Sequence, residues 1–249
     1  MLNERDGLPV RRNDYELAAS PFLLVGDHAG LAIPEALTDL GLSQTDRSRH
    51  IALDLGVREL GLALGEKLGA PFVWQHFSRL VCDCNRHPSD PDWAAATSDG
   101  TAIPANRDQT AQDTAVRRAE IFEPYHRAIA ETLDKRHEAE VSTVFVALHS
   151  FTPEMDGSRR PWEIGVLHDG REDGFALRVL DLLRRRGDLT VGDNEPYDMD
   201  DTDFTVPYHA YPRGMPYVEL EVRQDLLSDA RGVDRIADLL AEILPAALH

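Results

Sequence analysis

Two histidines in this chain each close an apolar run. His28 follows Phe22, Leu23, Leu24, Val25, Gly26 and Asp27, and His149 follows Val144 through Leu148. A strand that stops and delivers an imidazole into a loop is where α/β enzymes place their chemistry. A lone histidine there is commonly a hydrogen-bonded structural residue. Two of them, followed by the small residues Ala29 and Ser150, suggest a catalytic zinc (Zn2+) site. Such a site takes histidines and a carboxylate from separate elements and leaves one position to water. Asp54 is the first choice for the third ligand, because a carboxylate amid the apolar residues of Ser48 to Leu68 needs a partner. Glu35, set behind Pro34, and Asp27 are the alternatives. Asp27 also suits the outer role of accepting an imidazole N–H.

A second group, Arg79, Asn85 and Arg86, offers donors to a carboxylate. Arginine grips that group through two parallel N–H bonds, and asparagine adds another. The alternative is salt bridging with the many acids. A third group is the pair Glu219 and Glu221 in Pro216-Tyr-Val-Glu-Leu-Glu-Val-Arg223. Two glutamates on one face of an interior strand are costly unless they meet a metal, a base or a water, so either could take a proton in catalysis. On an edge strand the same face would simply be solvated.

The elements that must position these residues alternate. Strands are expected at 22–25, at 71–85 with a bend and a second strand through Leu80 to Cys84, at 141–148, at 164–167 and at 216–223. Helices are expected at 48–68 with Asp54 in its first half, at 109–138, at 175–186 and at 233–248. His87 to Asp108 and Gly192 to Thr205 read as long polar loops. Met1 to Ala19 shows no periodicity and reads as a surface lead-in. No repeat or linker divides the chain, so a single α/β domain over 1–249 with a mostly parallel or mixed sheet is expected.

The chain has 249 residues, with 26 Lys plus Arg against 44 Asp plus Glu, a net charge of −18. Such a charge argues against nucleic acid and against anionic membrane as partners. Cys82 and Cys84 are the two cysteines, so no disulfide framework exists. They read as small buried hydrophobes on one strand face. With no apolar leader or membrane-length run, a cytoplasmic setting is expected. Oligomeric state stays open.

The segments DHAGLAIP, HIALDLGV, SRLVCDCNR, LHSFTP, GDNEPY and VELEVRQDL, in this order from about Ser20 to Leu227, resemble the N-formylglutamate amidohydrolase family. The resemblance implies a zinc carboxypeptidase-like fold, three layers α/β/α around a mixed, mostly parallel sheet. It also implies zinc, hydrolysis of an N-acyl amide and an acidic amino-acid substrate. Matched by motif, His28 and His149 are zinc ligands, Asn85 and Arg86 hold the substrate carboxylate, and Glu221 is the catalytic glutamate. The His-x-x-Glu unit of the carboxypeptidases is broken at Leu31, so the third ligand comes from elsewhere. Ala29 stands where the family commonly has serine, which marks a divergent branch.

The reading is therefore a zinc-dependent amidohydrolase of amino-acid catabolism acting on a small-molecule N-acyl amino acid, N-formyl-L-glutamate being the best single guess. Zinc would activate a water and Glu221 would take its proton. Arg79 would join the metal in stabilising the oxyanion. The rivals are another acylated or peptidic amide at the same site, and a catalytically silent binding domain that kept the pocket.

Overall fold

The computed structural model describes residues 1–15, 19–155 and 157–249. Among these, strands β1 (Val10–Arg12), β2 (Phe22–Gly26) and β3 (Phe72–Gln75) come first, followed by two small hairpin strands, β4 (Thr97–Ser98) and β5 (Thr101–Ala102). Then come β6 (Val144–Phe151), the hairpin pair β7 (Glu154–Met155) and β8 (Ser158–Arg159), β9 (Ile164–Leu167), β10 (Val191–Asp193) and β11 (Tyr217–Arg223). The helices are α1 (Val57–Leu68), α2 (Ala111–Arg117), α3 (Glu123–Glu138), α4 (Gly174–Arg186), α5 (Thr205–His209) and α6 (Ala230–Ala246).

Seven strands form one sheet in the order β1-β3-β2-β6-β11-β9-β10. β3, β2, β6 and β11 run parallel, while β1 and β9 enter antiparallel to β3 and β11. The sheet is mixed and mostly parallel, as expected. Its central strands are largely apolar, apart from His149, Ser150, Glu219 and Glu221, because both faces are covered. Phe22, Leu24, Val146, Leu148, Val218, Leu220 and Val222 pack with α1, α4 and α6. The alternating residues Leu23, Val25, Phe145, Ala147 and Tyr217 pack with α3 and the loops of the opposite layer. Three layers follow from that alternation.

Four local expectations are corrected. The helix expected from Ser48 begins only at Val57, so Asp54 lies in a loop before α1. Gly56 (φ +82°) sets the turn there, and a Cβ on it would meet Leu227 at 2.4 Å. The expected second strand through Leu80 to Cys84 is a series of turns. Its carbonyls are satisfied by side chains, Leu80 by Asn106 Nδ2 at 2.9 Å and Val81 by Arg117 Nη1 at 2.8 Å, which removes the need for a strand partner. Cys82 and Cys84 are free and buried, but they share no strand face. Within the lead-in, β1 pairs with β3 and lengthens the sheet. The helix expected over 109–138 is α2 and α3 joined by a π-helical segment, Arg118–Phe122. Among the described residues no helix is long and apolar enough to cross a membrane.

Candidate active site

β2, β6 and β11 are parallel neighbours, so their carboxyl ends open at one edge of the sheet. Val25 pairs with Ala147, and Ala147 with Glu219. His28 and His149 therefore reach the same place from adjacent strands, and Glu221 pairs directly with His149. The loop after β2 is held close to its neighbour: a Cβ at Gly30 would sit 2.2 Å from the His76 carbonyl. The backbone N–H of Asp54 donates to the His28 carbonyl at 2.9 Å, which brings its carboxylate in from the loop before α1.

The three side chains meet. Asp54 Oδ2 lies 3.0 Å from His149 Nδ1 and 3.4 Å from His28 Nδ1. One ligand atom from each of His28, Asp54 and His149 lies within 4.8 Å of the others, and all three residues are buried. His28 Nδ1 has no hydrogen-bond partner. Its other nitrogen, Nε2, lies 2.6 Å from Asp83 Oδ1. Since a carboxylate only accepts, Nε2 carries a proton toward Asp83, while Nδ1 faces Asp54. His149 is arranged the other way round: its Nδ1 is hydrogen-bonded to Asp54 Oδ2 at 3.0 Å, and its Nε2, 3.5 Å from Asp27 Oδ2, has no hydrogen-bond partner. Two imidazoles and a carboxylate, each imidazole backed by an outer carboxylate, match the donor set of a catalytic zinc.

The local field also suits a cation. Burial alone raises the Asp54 and Asp83 carboxyls, but His28, His149 and Arg79 outweigh it and hold both well below the usual carboxylate range. Burial likewise works against charge on His28 and His149. The carboxylates around them win, and both imidazoles are raised. Glu221 is pushed up to about 7, first by burial, with His149 opposing and Asp54 adding to it. Glu219 is likewise raised well above the usual carboxylate range, by burial and then by the Asp203 carboxylate.

The expected residues thus assemble, with two different in detail. Glu35 is exposed and bound to Asn3, outside the cluster. Asp27 sits behind His149 and accepts from Thr205 Oγ1 at 2.8 Å. Arg79 bridges the cluster, with Nη2 2.6 Å from Asp83 and Nη1 3.4 Å from Asp54. Arg86 lines the cavity and makes loose contacts with Asp90, at 3.4 Å, and Asp83, at 3.8 Å. Asn85 is committed: its Oδ1 accepts from the backbone N–H groups of Phe204 and Thr205, and its Nδ2 donates to Asp203 at 3.0 Å. The outer carboxylate Asp83 was not assigned a role from sequence. Its signal is a carboxylate between two cysteines in an otherwise apolar stretch. The cavity above the cluster measures about 670 Å3, and Tyr197, Phe151 and Met155 also line it.

The family model for N-formylglutamate amidohydrolase matches residues 20–228. The crystal structure of gene product Atu2144 from Agrobacterium tumefaciens is 35% identical, with a TM-score of 0.94 over 99% of this chain and 97% of that one. The N-formylglutamate amidohydrolase from Ralstonia eutropha JMP134 has the same fold, with a TM-score of 0.70 at 20% identity over 97% of each chain. No curated protein matches the sequence.

Proposed function

The chain belongs to the N-formylglutamate amidohydrolase family, and from that premise we propose that it is a zinc-dependent enzyme removing the formyl group from an N-formyl acidic amino acid, N-formyl-L-glutamate first. The observation that supports zinc is the buried cluster of His28, Asp54 and His149, with an unpartnered His28 Nδ1, below a buried Glu221.

The His28 and His149 imidazoles and the Asp54 carboxylate would hold the metal. Bound there, zinc supplies a Lewis acid that polarises the acyl carbonyl and lowers the pKa of a water to about 7. The chain's own side chains do the rest. Glu221 takes the proton of the attacking water as the C–O bond forms. It returns that proton to the amide nitrogen as the C–N bond breaks, so one amide and one water give formate and the free amino acid. Arg79 keeps N–H groups beyond those engaged by Asp83 and Asp54, and these donate to the acyl oxygen as it gains charge. Arg86 grips the substrate α-carboxylate and fixes the amide in the cleft. Asn85 has its oxygen engaged and one Nδ2 hydrogen on Asp203, so it serves the substrate through its remaining Nδ2 hydrogen.

A cavity of about 670 Å3 also favours a second reading, a bulkier acyl group on the same amino acid. The test is elemental analysis of protein purified without chelator, followed by assay on N-formyl-, N-acetyl- and N-succinyl-L-glutamate. About one zinc per chain and the largest kcat/KM on the formyl substrate are expected. Protein that gains neither metal nor thermal stability on adding zinc would overturn the metalloenzyme reading. A preference for acetyl or succinyl would replace formyl while leaving the chemistry.

A further inference from the structure

Nearly every arginine near the cleft already faces a carboxylate. Arg79 faces Asp54 and Asp83, Arg86 faces Asp83 and Asp90, and Arg49 faces Asp46 and Asp99. Arg160 differs. It follows the β7–β8 hairpin at the rim formed by Phe151, Met155 and Tyr197, all of which line the cavity. Its Nη1 donates to Tyr197 Oη at 2.9 Å, its Nη2 meets Met155 Sδ at 2.9 Å, and its guanidinium lies 4.7 Å from the Tyr197 ring centroid. Among the described residues it has no carboxylate within 4.0 Å, in a chain with 44 acidic side chains.

A guanidinium has five N–H donors. One goes to the phenol and one to a thioether, which is a weak acceptor, so the fork keeps donors for an anion. The phenol is arranged to help. Its oxygen accepts from Arg160, and among the described residues its own hydrogen has no acceptor. Burial, and next the Glu221 carboxylate, raises the phenol above its ordinary pKa, so the hydrogen stays in place. Tyr197 and Glu221 line the same cavity. A charged fork and a neutral O–H converging on one point make a carboxylate receptor.

We propose that Arg160 and Tyr197 form a second carboxylate subsite, which holds the side-chain carboxylate of an acidic amino acid while Arg86 holds the α-carboxylate. This rests on the amidohydrolase reading for its catalytic consequence, but not for its binding consequence. A substrate with a neutral side chain would leave the Arg160 fork unanswered, and the pair would then select glutamate-type over glutamine-type substrates.

Two measurements separate the subsite from the activity. In the first, kcat/KM is compared for N-formyl-L-glutamate and N-formyl-L-glutamine, which differ by one carboxylate. Arg160→Ala should lower the value on the glutamate substrate by about 10- to 100-fold and change the glutamine substrate by no more than a few fold. Arg160→Lys should recover part of the loss, since an ammonium cannot make two parallel bonds. Tyr197→Phe should lose less than Arg160→Ala and in the same direction. Equal losses on both substrates would overturn the subsite.

The second measurement is calorimetric binding of glutarate and of butyrate, which needs no turnover. Arg160→Ala should weaken glutarate about 10-fold or more and leave butyrate unchanged. Parallel weakening of both, or of neither, would overturn the proposal whether or not the protein hydrolyses any amide. Absence of turnover on both formyl substrates, with glutarate binding still dependent on Arg160, would remove the amidohydrolase reading and leave the subsite.

Discussion

Glu219 and Glu221 point the same way from one strand, two residues apart, and the surroundings give them different work. Glu221 pairs with His149, keeps a buried oxygen without a partner, and is pushed up to about 7 by burial. A carboxyl near neutrality can both take and return a proton at working pH. Glu219, 3.8 Å from His149 Nε2, is raised well above the usual carboxylate range by burial and by Asp203, which favours its protonated form. Replacing a protonated carboxyl by its amide changes little, whereas replacing the base removes the proton acceptor. On the proposed mechanism, Glu221→Gln should therefore keep its metal affinity and lower kcat by roughly 10²-fold or more, the usual scale of such losses. Glu219→Gln should fall by much less. Steady-state assays with metal content measured on the same samples decide it. A larger loss in Glu219→Gln would exchange the two roles.

At the scale of elements, the strands were legible because a strand buried on both faces must be apolar throughout. Phe22 to Val25 and Val144 to Leu148 read that way directly. His28 and His149 were legible for the same reason, as the first polar groups at the ends of such runs. Asp54 was singled out to join the two histidines, and it does lie beside them, but it was placed in a helix, since leucine spacing does not reveal that Gly56 turns the chain by adopting positive φ. The turns at Leu80 to Cys84 were not legible, because their partners Asn106 and Arg117 lie 26 and 36 residues away. Nor was the contact by which α3 holds α5. His126 Nε2 donates to the Cys84 carbonyl at 3.0 Å, so its Nδ1 must accept from His209 Nε2, also at 3.0 Å. Both rings are thereby neutral. Burial pushes His126 down to about 4 against the nearby Asp27 carboxylate, and burial, His126 and Arg213 push His209 down to about 2. Unfolded histidine titrates near 6.5. The unfolded state thus binds more protons below that pH, and the stability from this pair is complete above about 6.5 and lost as pH falls toward 4. His126 alone should forfeit about 2 kcal/mol by pH 5. Urea unfolding of wild type and His126→Gln at pH 7.5 and 5 isolates the pair, since every other titrating group is common to both. The stability gap between them should shrink by about that amount at the lower pH, and a gap that stays constant would contradict the assigned tautomers.

For the proposed dianionic substrate, the whole molecule works against capture at a distance. Its net charge is −18, and Asp92, Asp99, Asp198 and Asp200 line the cleft outside the metal cluster. A dianion such as N-formyl-glutamate approaches through a repulsive field, so its capture depends on the short-range donors of Arg86 and Arg160 once it is inside. Salt acts on the two parts differently. The Debye length is ~30 Å at 0.01 M ionic strength and ~8 Å at 0.15 M, so added salt removes the long-range repulsion. A guanidinium pair formed within a cleft is screened much less. Raising ionic strength over that range should therefore increase kcat/KM for N-formyl-L-glutamate, by about two- to five-fold on the scale of surface-field effects. The monoanionic N-formyl-L-glutamine should gain less, and its α-amide, which carries no charge, should not respond. The change should appear in KM, with kcat constant, because screening alters capture and not the bond-breaking step. Initial rates on the three substrates across a salt series provide the measurement. A kcat/KM for the glutamate substrate that falls with salt would mean that the arginines, and not the acidic surface, dominate the field at the mouth of the cleft, which would then attract anions from solution.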